Sequence, residues 1–164
     1  MESIHKLENM MGEWLKPLPH LPVEWRNWIS KNVWWITLVG VVISVFGILG
    51  LFSALSFFTA TTNHYGPLYT AATQTHGGLW KLSIYISLAL LVATVVVEAM
   101  AISPLKVMSK KGWDLLFLAY LLSVVSGVIG AVLNVDIFSL ITTAIGAAIG
   151  AYFLFEIRSH FKKA

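Results

Sequence analysis

Apolar residues in this chain gather into four long runs separated by short polar breaks. After Lys31 the sequence NVWWITLVGVVISVFGILGLFSALSFF carries no formal charge, and a second run is interrupted only by Lys81 at its start and Glu98 near its end. Two further runs lie between Asp114 and Asp136 and between Asp136 and Glu156. About 20 apolar residues in helical form cross a hydrocarbon layer of about 30 Å. The pattern therefore predicts four membrane-spanning helices, over 34–58, 79–102, 115–134 and 137–155. Ser103-Pro104 should close the second, because proline disfavours helical geometry in the residue before it. Asn134 and Asp136 read as the end of the third helix and the cap of the fourth.

Outside the runs the pattern changes. Residues 1–31 form a cytoplasmic segment in which Ile4, Leu7, Met11, Trp14 and Leu15 fall at helical spacing among Glu2, Lys6, Glu8 and Glu13. That period predicts an amphipathic helix lying along the membrane surface, with docking to a partner as the alternative. Pro17, Pro19 and Pro22 end it, and Pro22 can open the next helix. A polar, uncharged stretch over 59–78 reads as a long outer loop, and 159–164 as a basic tail.

Composition sharpens the class. Of 164 residues, 57% are hydrophobic and 12% are charged, about half the usual share of charge. Nineteen charged side chains cannot supply a polar skin for a soluble domain of this length. A disordered chain and a nucleic-acid-binding domain are excluded on the same ground, and a cleavable signal peptide fits poorly because the first apolar run begins late and is long. The fold class is an all-α integral membrane protein, a four-helix transmembrane bundle in a lipid bilayer.

The charges also orient it. Lys6, Lys16, Arg26, Lys31, Lys106, Lys110, Lys111, Arg158, Lys162 and Lys163 fall on one side, and Lys81 alone on the other. Basic residues near span ends are retained in the cytoplasm, so both termini are expected there, in the plasma membrane. Trp14, Trp25, Trp28, Trp34, Trp35, Trp80 and Trp113 all stand before or at the edge of a run, where indole rings act as interface anchors.

In lipid, helices associate through close packing of small residues. Candidates are Gly40 and Gly47 in the first span, Ser123, Gly127 and Gly130 in the third, and Gly146 and Gly150 in the fourth. Such faces serve the bundle itself, a homo-oligomer or another membrane protein. SVFGILG at 44–50 and SVVSGVIG at 123–130 share a loose pattern, which leaves duplication and common composition both open.

Candidate chemistry is sparse. Glu98 is the carboxylate clearly inside an apolar run, and an intramembrane ionisable residue is a functional-site candidate by default. Its bland alternative is an anchor that reaches the interface and pairs with Lys106 or Arg158. No cysteine, glycine-rich phosphate loop or serine–histidine–aspartate grouping is present. His64 and His76 lack a third ligand nearby. No catalytic residue, metal or cofactor is predicted, nor any nucleic-acid partner.

The last two spans, GWDLLFLAYLLSVVSGVIGAVL and IGAAIGAYFLFEIRSHF, resemble the closing third of small uncharacterised four-span bacterial membrane proteins that end in an aromatic-rich FLFEIRS-like helix. The resemblance implies a bacterial cell membrane and brings no activity with it. The functional expectation is a non-enzymatic structural or accessory component that binds other membrane proteins or itself. Alternatives are a small oligomeric transporter using Glu98 as a proton-coupling carboxylate and a sensor whose outer loop binds a ligand.

Overall fold

A computed structural model of the chain describes residues 2–73, 79–133 and 136–161, with side chains described except at 2–5, 54, 58, 59, 61–73 and 79–83. Five α-helices and one 3-10 turn account for nearly all of it: α1 (Glu2–Leu15), α2 (Val23–Thr73), α3 (Leu79–Lys106), α4 (Lys110–Leu133), α5 (Ile137–Ile157) and the turn Arg158–His160. Four of them contain stretches long and apolar enough to cross a membrane: Val23–Phe57, Ile84–Lys106, Lys110–Leu133 and Ile137–His160. This is the architecture of a multi-pass membrane bundle.

The helices pack antiparallel in chain order. Along α4 and α5, Trp113 meets Leu154, Tyr120 meets Ala147, and Gly127 meets Thr143. Between α3 and α4, the most extensive pair, Leu105 lies against Gly112 and Ser87 against Gly130. Both the α1 end and the close of α5 therefore lie at one pole, called here the termini end. The hydrophobic core sits at that pole: Val33, Ala101, Leu105, Trp113, Phe117, Leu154, Ile157 and Phe161. Trp113 stacks on Phe117 at 5.3 Å and meets Phe155 edge-on. Away from it the buried positions shrink to Thr37, Thr94, Ala119, Ala131 and Ala151, and bulky residues turn outward.

Two helix ends differ from the sequence expectation. The second span does not stop at Ser103-Pro104; α3 carries Pro104 inside its last turn. Proline removes one N–H donor, which withdraws the helical bond to Met100 O, and the helix continues for only two residues beyond it. The stop comes from Met108, whose φ of 50° is left-handed. Ser109 N donates to Pro104 O and Met108 N to Leu105 O, both at 3.0 Å, the bond pair of a Schellman closure. The following turn is tight enough that Gly112 has no room for a side chain. A Cβ there would fall 2.6 Å from Leu105 N and 2.8 Å from the Pro104 carbonyl carbon.

The second difference is the outer stretch. Helix α2 continues through 59–73, which the sequence placed in a loop. A helix satisfies its own backbone in water as well as in lipid, so a drop in hydropathy does not end it. Residues 74–78, with His76, lie outside the described residues, as does Asn134. The cap expected of Asp136 is present: its Oδ1 accepts from Ser139 N at 3.1 Å.

Candidate functional site

Glu98 lies on α3, eight residues before the helix end. Because α3 runs on to Lys106, that places the residue about 12 Å from the end, at 1.5 Å per residue. The sequence boundary had put it nearer the surface. Its side chain is half-buried and borders a cleft of about 580 Å³ between α2, α3, α4 and α5. Ile29, Val33, Ile36 and Gly40 form the α2 wall; Leu116, Tyr120 and Ser123 come from α4, and Gly150, Phe153, Leu154 and Ile157 from α5.

The other polar groups of this cleft are largely engaged. Thr37 Oγ1 donates to Val33 O at 2.8 Å, and Tyr120 Oη donates to Ala147 O at 2.7 Å. Neither base proposed as an anchor reaches Glu98. Lys106 Nζ stands over the Trp34 ring, 4.5 Å from its centroid. Arg158 Nη2 bonds Glu8 Oε1 at 2.6 Å and Asn9 Oδ1 at 3.4 Å. Among the described residues no ion pair or hydrogen bond is formed by the Glu98 carboxylate. An ionised side chain at the middle of a span costs at least about 2.5–3.5 kcal/mol, and no ion pair of Glu98 offsets that cost.

Carboxylates at the termini end are treated differently. Glu8 of α1 is 2% exposed and lies between Lys110 Nζ, at 2.7 Å, and Arg158. Lys110 also pairs with Asp114 at 3.0 Å. Glu156, 8% exposed, accepts from His20 Nδ1 at 2.7 Å and from Leu21 N at 3.3 Å, with Arg26 Nε 3.7 Å away. Tyr152 Oη donates to Pro19 O at 2.6 Å, and His160 Nε2 to Asn27 Oδ1 at 2.8 Å. Helix α1 and the proline-rich connection are thus bonded onto the ends of α4 and α5. The helical period of residues 1–16 showed an amphipathic helix and gave no sign of this. Glu8 shares the apolar face, one turn from Ile4 and Met11, but its burial between two bases was not legible. Glu156, set between Phe155 and Ile157, carried a readable signal as a carboxylate at the close of an apolar run.

The predicted packing residues separate into two groups. Gly127 faces Thr143, Gly150 faces Tyr120, and Gly130 lies 4.0 Å from Ser87 Oγ in terms of the Cβ each would bear. Gly40, Gly47 and Gly146 meet nothing within 4 Å. Ser123 is exposed on the cleft wall. The two halves of the loose repeat therefore have unlike surroundings, Gly47 open and Gly127 packed.

The tryptophans divide as well. Trp14, Trp25, Trp28 and Trp35 are each more than half exposed, as an interface position requires. Trp34 is half-buried under Lys106. Trp113 does not act as an interface anchor: it is fully enclosed, and its Nε1 donates to Leu154 O at 3.0 Å. Its place at a run edge reflects the core, which lies at the end of the bundle where that run begins. The side chain of Trp80 lies outside the described ones. Groups of three or more metal-ligating side chains do not occur among the described residues.

No family model, curated protein or solved structure matches this chain.

Proposed function

We propose that the chain is a non-enzymatic carrier of the plasma membrane that takes a hydrophobic cation into the Glu98 cleft, Glu98 holding the cation or a proton in turn. The observation that supports this is a carboxylate with no ion pair or hydrogen bond among the described residues, in an apolar cleft, with Lys106 placed over Trp34 and Arg158 bonded to Glu8. A volume of about 580 Å³ lies within the range of small-molecule sites, which are lined by apolar groups with a few polar ones. A hydrophobic cation fits both parts of such a lining, and exchange for a proton keeps the buried charge balanced. The one-sided distribution of lysine and arginine supports cytoplasmic termini.

The test uses tetraphenylphosphonium, a cation with an apolar surface, and triphenylphosphine oxide as its neutral counterpart. The full chain in detergent should bind the cation in preference to the neutral compound. Proteoliposomes carrying it should take up the cation in exchange for protons leaving an acid interior. Glu98→Gln should abolish both. Equal binding by Glu98→Gln and the parent would remove this reading.

A second reading is the structural or accessory role, association with a second copy or another membrane protein. It is favoured by the open glycine positions Gly40, Gly47 and Gly146. It predicts that Gly146→Ile lowers the oligomeric mass in mild detergent while Glu98→Gln leaves it unchanged.

A further inference from the structure

The termini end holds a second cavity, of about 260 Å³, between α1, the proline-rich connection and the close of α5. Lys16, His20, Arg26 and Arg158 border it, against one carboxylate, Glu156. That carboxylate already accepts from His20 and from Leu21 N. Arg26 Nε is buried and donates no hydrogen bond, standing 3.7 Å from Glu156 Oε2. Gly12 makes space for the guanidinium of Arg158 on the α1 side: a Cβ there would lie 3.3 Å from Arg158 Nη1. Arg158 is already balanced by Glu8 at 2.6 Å, so Lys16 and Arg26 against Glu156 leave a local surplus of one positive charge, with the Arg26 Nε–H making no hydrogen bond.

The depth of the cavity points to its ligand. Trp25 and Trp28 flank Arg26 in sequence and are exposed, as is Trp14 on α1. Indole rings of this kind settle at headgroup level. Basic pockets at that level on the cytoplasmic side meet anionic lipid. We propose that this cavity binds the phosphate of an anionic lipid headgroup, with Arg26 and Lys16 as donors to its oxygens. A phosphate monoester carries about −1.5 to −2 at neutral pH, which more than offsets the surplus. The site is separate from the Glu98 cleft and does not depend on the carrier reading.

The experiment reconstitutes the full chain in nanodiscs of phosphatidylcholine with phosphatidic acid and counts retained lipid by native mass spectrometry. Inorganic phosphate, added to the detergent-solubilised protein in a thermal-shift assay, tests a soluble source. Phosphatidic acid should be retained over phosphatidylcholine. Lys16→Gln, at an exposed position, should weaken retention about fivefold at low salt. Adding Arg26→Gln should bring it to the level of phosphatidylcholine, whereas Glu98→Gln should have no effect. A thermal shift by inorganic phosphate alone, lost in Lys16→Gln, would support the phosphate site with a soluble ligand as its occupant. Equal retention of the two lipids together with no shift by phosphate would overturn the proposal. So would retention or shift unchanged in both Lys16→Gln and the double variant.

Discussion

Four glycines of α4 and α5 offer a graded test of the packing, because the space around each differs. Replacement by alanine gains about 1 kcal/mol of helix propensity at every one. What opposes that gain is the clearance. At Gly112 the new Cβ would lie 2.6 Å from Leu105 N, whereas heavy atoms in good contact stand about 3.5–4.0 Å apart. The obstructing atoms are backbone, so α3 must retreat by about 1 Å, carrying Leu105 away from Trp113 and Phe117. Overpacking costs about 1–3 kcal/mol, and loosening that aromatic core adds to it, so we expect a net loss of about 3 kcal/mol. At Gly127 the clash is 2.7 Å from Thr143 Cγ2, a side chain with a second rotamer available in helices, and the net loss should be about 1–2 kcal/mol. At Gly150 the neighbour is the Tyr120 ring at 3.1 Å, tethered by its bond to Ala147 O, and the opposing terms should nearly cancel. Gly146 meets nothing, and alanine there should be neutral or stabilising. Thermal unfolding of the four variants in one detergent ranks them, each kcal/mol being about 2–4 °C for a chain of this size. If Gly112→Ala proved as stable as Gly146→Ala, the close approach of α3 and α4 would be wrong.

Glu8→Gln should loosen α1 without unfolding the bundle. The lost charge leaves Lys110 and Arg158 partly solvated, so the cost should be about 1–3 kcal/mol, seen as faster amide exchange confined to α1. Asp136→Ala removes the α5 cap and should cost about 1 kcal/mol, whereas Asp136→Asn should cost less; equal losses would mean the cap bond is unimportant. Met108→Val places a β-branched residue at a left-handed φ and should lower the melting temperature by the equivalent of about 1–2 kcal/mol. Cysteine reporters replacing Gly66 and the exposed Lys111 should be labelled from opposite faces of sealed cells, Lys111 from the inside; labelling of both from one face would overturn the assigned topology.

The number and approximate extent of the spans were legible because burial in lipid demands an unbroken apolar run, and that demand is written residue by residue. The Asp136 cap was legible for a similar reason, being local chemistry at a fixed offset. What could not be read depends on contacts far apart in sequence. The Schellman closure at Met108 employs a residue with no turn preference, and only the approach of Gly112 to Leu105 makes the stop intelligible. Trp113 shares the sequence signature of Trp25 and Trp28, yet it is enclosed because α5 returns Leu154 and Phe155 to its level. Glu98 was identifiable as an unusual residue, and its lack of a partner became visible once Lys106 was seen over Trp34 and Arg158 against Glu8.

Helix α2 is 51 residues long, which at 1.5 Å per residue makes a rod of about 77 Å, well beyond the thickness of a bilayer with its headgroups. It is gripped near one extremity, where Val33 enters the core. A rod held at its foot behaves as a lever. Pivoting by about 10° there would sweep Thr73, some 60 Å distant, sideways by about 10 Å. A small adjustment around Val33 and Trp34 would thereby be enlarged many-fold at the far end of the helix.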